Sequence, residues 1–168
     1  TTTMCLIPMV KAVVSIPVIA AGGIGTGRGM LAAMTLGADG VQIGSRFIAS
    51  PESSAHQHFK DEILKAKEGD TMLTLKELTP VRLMKNAFFR QVEAAYEQCA
   101  SDEALNELLG RGRAKKGMFE GDLVEGELEV GQISGLISEM KPAAEIVAEI
   151  ITEFKAALNE RSDSKYTF

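Results

Sequence analysis

The residues best suited to chemistry in this chain are glycines, and they fall in two groups at matching places. Pro17-Val18-Ile19-Ala20-Ala21 runs straight into Gly22-Gly23, and Val41-Gln42-Ile43 runs straight into Gly44-Ser45. Each apolar run has the length of a strand, and the helix-sized segment from Arg28 to Leu36 between them predicts a βαβ unit. Backbone approaches a ligand most closely where there is no Cβ. Amides that follow a strand and open a helix are donors with the positive end of the helix dipole behind them. Two such strand ends side by side predict a phosphate cradle, formed by Ala21, Gly22, Gly23, Gly44 and Ser45, with the Ser45 hydroxyl as an extra donor.

The remaining glycines of this region have a plainer reading. Gly25, Gly27 and Gly29 serve a loop that grades into a helix start, and Gly37 is placed to be the residue just past the helix end. A dinucleotide-binding reading fails, because no strand-GxGxxG-helix unit is followed by an acidic residue at the end of the next strand. A Walker-type reading fails because there is no Gly-Lys-Ser/Thr.

The elements that must position these loops follow from apolar spacing. Met4 to Val14 predicts a helix, with Pro8 tolerable only in its first turn. The strand Val18 to Ala21 has no polar alternation, which predicts burial on both faces of a parallel sheet. Ala49-Ser50-Pro51-Glu52 reads as a cap, followed by a helix to about Lys67 that Gly69-Asp70 ends, with His56 near its start in a hydrogen-bonding role and His58 solvated. Beyond it, Thr71 to Leu75 predicts a short extended piece. Pro80 reads as the start of a long amphipathic helix to about Gln98, which would put Arg82 and Lys85 on one turn, facing either an anionic ligand or a structural ion pair. Ser101 caps a helix to Leu109, Gly117 to Glu129 reads as loop, and Gly131 to Ser138 as a short helix or turn. Pro142 opens a last helix with Ile146, Val147, Ile150, Ile151 and Phe154 on one face, and the tail from Ser162 is expected to fray. Met72, Met84 and Met118 are core residues or the lining of a substrate channel.

Composition narrows the class. A formal charge of -5 with no dominant basic face argues against nucleic acid. The cluster Arg111, Arg113, Lys115 and Lys116 is followed at once by acids and reads as a solvated loop of mixed charge. Cys5 and Cys99 form no CxxC, so neither a metal site nor a disulfide framework is expected. No apolar run approaches a membrane span, and the default location is cytoplasmic.

Taken together, Thr1-Thr2-Thr3-Met4-Cys5-Leu6-Ile7-Pro8, Ile16 to Ile24, Leu36 to Phe47, Glu52-Ser53-Ser54-Ala55-His56, Arg82 to Asn86 and Gly131 to Leu136 resemble the nitronate monooxygenase family, formerly called 2-nitropropane dioxygenases. The same pattern includes the flavin-dependent enoyl-acyl-carrier-protein reductase II. The resemblance implies an α/β fold: the C-terminal part of an FMN-binding TIM (β/α)8 barrel plus a helical insertion. Residues 1–70 are then the last βα units of the barrel with their phosphate-binding loops, 71–130 the helical insertion, and 131–168 the closing helices and tail.

The implied reaction is FMN-dependent oxidation of an alkyl nitronate with dioxygen. The family's catalytic histidine is expected upstream of Thr1, so none is assigned in this chain, and the sequence is expected to be a C-terminal fragment that is inactive alone. The alternative within the family is NAD(P)H-dependent reduction of an enoyl thioester carried by acyl carrier protein. The alternative of another class is an inactive half-barrel that binds or acts as a scaffold, its open sheet edges covered by a partner or by a second copy in a homodimer. The expected ligand is a small-molecule substrate, with no metal, nucleic acid or membrane.

Overall fold

The structure, a computed structural model, describes residues 1–162; the tail expected to fray lies, after Ser162, outside the described residues. The chain folds as two compact units, one of Thr1–Glu52 together with the segment from Lys141, the other of Ser53–Met140.

The first unit is built around helix α1 (Thr3–Lys11), strand β1 (Ile19–Ala21), helix α2 (Gly27–Thr35), strand β2 (Gly40–Gln42), the single turn α3 (Ser45–Ile48) and, much later in the chain, helix α7 (Ala143–Ser162). β1 and β2 pair in parallel, with Ile19 opposite Gly40 and Ala21 opposite Gln42, as the βαβ reading requires. Ile7, Ala20, Ile24, Ala33 and Ala38 form the core between the strands and the helices. The strand departs from its expected burial on both faces: Ala20 is buried but Ile19 is 57% exposed. A two-stranded sheet covered on one face leaves its other face open. Pro8 also departs from expectation, since it lies in the second turn of α1, where its missing N–H removes one bond of the helix ladder.

Local chemistry sets the ends of α2. Thr26 accepts the Gly29 amide at 3.0 Å. At the other end Gly37, at φ +107°, donates to the Met34 carbonyl while Ala38 donates to that of Ala33, the paired bonds of a Schellman turn. Asp39 then aligns three elements, accepting from Lys11 Nζ at 2.7 Å and from the Val18 amide at 2.8 Å. The Lys11 bond and then the Val18 bond hold the Asp39 carboxyl below its usual range.

Helix α7 packs directly on α2 at Gly27, where an added Cβ would run into the backbone of Ile150 and Phe154. Glu153 on α7 accepts the Gly27 amide at 2.7 Å, and Arg28 pairs with Glu160 at 2.7 Å. The apolar face is narrower than its spacing predicts. Ile146, Ile150 and Ala157 are buried, whereas Val147 and Ile151 are largely exposed. Glu52 closes the helix start, both its carboxylate oxygens lying 3.1 Å from the Ala143 amide.

The second unit contains α4 (Gln57–Lys65), the antiparallel hairpin β3 (Thr71–Thr74) and β4 (Val81–Met84), and helices α5 (Ala87–Glu97) and α6 (Asp102–Leu109). Its core is Leu75, Leu83, Phe88, Phe89, Val92 and Leu105. Here the helix expected from Pro80 is corrected. Residues 81–84 are a strand paired to β3, and the helix begins only at Ala87. Asn86 makes that boundary: its side chain accepts the Phe89 amide at 2.9 Å and donates to the Leu123 and Gly126 carbonyls. Arg82 and Lys85 therefore share no helix turn.

The stretch expected to be a solvated loop of mixed charge is also corrected. Arg113 donates through Nε to the Leu108 and Leu109 carbonyls that end α6, donates through Nη1 to the Glu125 carbonyl at 2.7 Å, and stacks 4.4 Å over the Phe88 ring. Gly117 sits so close to Glu127 that a Cβ would come within 2.6 Å of its carbonyl oxygen. Glu127, Leu128 and Val130 are buried as a result. Burial, reinforced by Glu129 and opposed by Arg113, pushes the Glu127 carboxyl up to about 7.

Two measurements check this architecture. Gly27→Ala should lower stability by about 3 kcal/mol, the upper end for overpacking because the obstacle is backbone, read from urea unfolding. The native carboxyl of Glu127 holds its proton more tightly than the unfolded one, whose value is near 4.5. Its contribution is therefore full below about pH 4.5 and is lost as the pH rises through about 7. Glu127→Gln should match the parent urea midpoint at pH 4.5 and exceed it at pH 8, and equal midpoints at both pH values would contradict the assignment.

Candidate functional site

The two glycine groups meet at one end of the β1–β2 pair. Because the strands are parallel and in register through Ala21 and Gln42, the loops beginning at Gly22 and at Ile43 leave the same edge of the sheet. Gly22 and Gly23 both have positive φ, +94° and +74°, so a side chain at either position would strain the backbone. Thr3 Oγ1 donates to the Gly22 carbonyl at 2.9 Å, which ties the loop to the first turn of α1.

Gly44 is more informative because nothing in the chain demands glycine there. Its φ of -105° suits any residue, and a Cβ built on it meets no atom within 4 Å. The space beside Gly44 is open, which is what the close approach of a ligand oxygen to backbone requires. Ser45 follows at once as the first residue of α3. These positions lie, with Ala21 at the end of β1, at one end of the β1–β2 pair.

The positive end of α2 does not back the expected cradle: α2 begins at Gly27, beyond a loop through Thr26, and its first amides are already taken by Thr26 and the Glu153 carboxylate.

Arg46, which sequence reasoning passed over inside the Ser-Arg-Phe motif, anchors the other side. Its side chain is 12% exposed and lies 3.4 Å from Glu149 on α7, which also takes Lys141 Nζ at 2.6 Å. Lys141 first, with Arg46, holds the Glu149 carboxyl below its usual range. The signal was available, since a largely covered arginine needs an acidic partner, but α7 lies about a hundred residues away and spacing cannot select Glu149 among its acids.

The histidines act as expected from sequence. His56 Nδ1 accepts the His58 amide at 3.1 Å at the start of α4, and its ring packs against Gly121. His58 is exposed, with Nδ1 3.2 Å from the Gly121 carbonyl. Arg82 is committed to Thr71, donating to its carbonyl at 3.1 Å. Met84 is core, and Met72 is 43% exposed. Among the described residues no group of three or more His, Cys, Asp or Glu could hold a metal ion, and no helix is long and apolar enough to cross a membrane.

Comparison with known proteins places these features. A family model for nitronate monooxygenase matches residues 1–153. A probable nitronate monooxygenase of Staphylococcus saprophyticus is 34% identical over 159 residues, covering 94% of this chain and 44% of that protein. The structure of FabK from Thermotoga maritima superposes with a TM-score of 0.88 at 42% identity, over 96% of this chain and 51% of that one. A nitroalkane oxidase from Streptomyces ansochromogenes gives 0.74 at 31% identity, over 95% and 45%. The chain spans about half the length of the relatives it matches.

Since neither φ nor packing requires glycine at 44, Gly44→Ala should leave the urea midpoint within about 0.5 kcal/mol of the parent. Gly22→Ala, forced to positive φ, should cost about 1 kcal/mol or more by the same measurement.

Proposed function

Because the chain belongs to the nitronate monooxygenase family, we propose that it is the phosphate-binding part of an FMN-dependent oxidoreductase that oxidises alkyl nitronates with dioxygen. The observation that carries the proposal is the open space at Gly44, together with the two positive-φ glycines in the loop that follows the neighbouring strand. Ala21, Gly22, Gly23, Gly44 and Ser45 would hold the FMN phosphate. Thr3 keeps the first loop in place through the Gly22 carbonyl, and the Arg46–Glu149 pair holds the turn that carries Ser45. The flavin, when bound, supplies the redox chemistry, and the chain's task is to bind and orient it.

On this reading β1, α2 and β2 are consecutive βα units of a (β/α)8 barrel. The open face at Ile19 is then a surface on which further barrel strands and helices pack, and residues 53–140 are an insertion into the barrel chain.

The higher identity to FabK, 42% against 31% for the nitroalkane oxidase, favours a second reading: transfer of reducing equivalents from NAD(P)H to an enoyl thioester on acyl carrier protein. Both readings use the same cradle.

The test is a pair of titrations followed by flavin fluorescence. FMN should bind at least about tenfold more tightly than riboflavin, which lacks the phosphate, and Gly44→Val should erase that preference. Equal affinities for the two flavins in the parent chain would sink the cradle. With the flavin-loaded protein, anaerobic bleaching by an alkyl nitronate and not by NAD(P)H supports the monooxygenase, and the opposite pattern supports the reductase.

A further inference from the structure

The hairpin in the unit of residues 53–140 leaves one edge of its sheet without a neighbour. On its inner side β4 is flanked by residues 128–130: the Met84 amide donates to the Leu128 carbonyl at 3.0 Å and the Val130 amide to the Arg82 carbonyl at 3.1 Å, with Leu83 opposite Glu129. Arg82 and Met84 therefore turn their backbone groups away from β3, and strand alternation leaves Val81 and Leu83 to bond Thr74 and Met72. The Lys85 amide continues that ladder to the Asp70 carbonyl at 3.0 Å. In β3 the amides and carbonyls of Thr71 and Leu73 then face outward.

The Leu73 amide and carbonyl meet no partner among the described residues. The Thr71 carbonyl takes Arg82 Nη1 at 3.1 Å, which leaves it a second lone pair. Edge strands are ordinarily protected by a lysine, a proline or a bulge. β3 has none of these. Thr71-Met72-Leu73-Thr74 carries no charge and pairs with β4 without interruption, and Met72 and Leu73, on opposite faces, are 43% and 42% exposed.

Two copies of this edge fit each other. An antiparallel pair about a twofold axis at Met72 sets Thr71 of each chain opposite Leu73 of the other, so every outward amide and carbonyl of the strand finds a partner. Centring the axis on Thr71 or on Leu73 instead pairs only one outward residue of each strand. Met72 then meets its own copy in a non-hydrogen-bonded pair, the closer kind, with Cα atoms about 4.5 Å apart. Past the bends at Gly69 and Leu75, whose φ values are +84° and +51°, the same register brings exposed Lys76 to the side of exposed Glu68 of the second copy. A foreign strand would satisfy the backbone equally, but this match of Met72 with itself and of unlike charges at the ends selects the second copy.

We propose that β3 is a docking edge for a second copy of this chain, the two hairpins joining into one antiparallel sheet across a twofold axis at Met72. So short a strand buries less than the roughly 1,200 Å² of a standard interface, and the association is correspondingly weak, with a dissociation constant on the order of 100 µM. The residues are independent of the glycine loops, so the proposal stands or falls apart from the flavin reading.

Sedimentation velocity of the full chain tests it, and the parent should pass from monomer to dimer between about 10 µM and about 1 mM. Met72→Lys and Met72→Glu each set like charges opposite one another at the axis, and each should raise the dissociation constant at least about tenfold with an unchanged urea midpoint, since Met72 is exposed. An equimolar mixture of the two variants should associate again, lysine facing glutamate. Should a variant fold poorly, amide hydrogen exchange of the parent serves instead: exchange at Leu73 should slow as concentration rises, while Met72 and Thr74, bonded to β4, stay protected throughout. A parent that remains monomeric leaves the edge to a foreign strand and would overturn the proposal. So would a Met72→Lys protein that dimerises like the parent, or a mixture that associates no better than either variant alone.

Discussion

The contact on which the first unit depends is the approach of α7 to α2 at Gly27. Only a residue without a side chain lets the two helix backbones come so close, and the same position supplies the amide that Glu153 accepts. Packing and capping are thereby one event. The Glu153 carboxylate satisfies a helix-start donor and meets the positive end of α2, while Ile146 and Ile150 bury their side chains. With α7 so placed, Glu149 falls beside Arg46, and the short turn after Gly44 acquires its anchor. The proposed phosphate surface is thus held from a helix that contributes no residue to it.

The second unit is organised by a different device, an arginine used as a structural hub. Arg113 ends α6 by taking its last carbonyls, covers Phe88, and fixes the Glu125 carbonyl. Two glycines, Gly117 and Gly126, then bring neighbouring turns together until the Glu127 carboxyl is enclosed. Enclosure leaves that group in surroundings that favour its protonated form. The charge of Arg113 opposes the effect without cancelling it, since its donors are directed to carbonyls and to Glu125.

How much of this is legible in the chain's letters follows from the range of each interaction. Gly37 and Ser101 mark helix ends correctly, because a cap is a contract between residues two or three apart, whereas the cap-like Ala49 to Glu52 is not followed at once by helix, which begins only at Gln57 after His56. The parallel pair β1–β2 is legible because both strands end in glycine at βαβ spacing. Residues 81–84 are not legible as a strand, because Pro80 suits a helix start as well as a strand start, and only pairing with β3 and with the segment at Glu129 decides between them. The charge run from Arg111 to Glu129 misleads for a related reason. Composition reports its polarity, but the burial of Glu127 comes from close glycine contacts that no local pattern records. At the candidate site, the glycine positions can be read from sequence, whereas the loss of the α2 dipole to Glu153 and the role of Glu149 come from a helix distant in sequence.

That distance has a kinetic side. The bond between Gly27 and Glu153 spans 126 residues, and the unit of residues 53–140 lies inside the loop it closes. Closing a loop of that length in an unstructured chain is entropically slow, and folding rates fall as contacts become less local. The enclosed unit has a core of its own and can form while the loop is still open. Its folding shortens the effective chain between α2 and α7. On a ribosome, α1 to α3 emerge long before the helix that completes their core, and during that interval the inner unit acts as the spacer that governs how readily α7 returns.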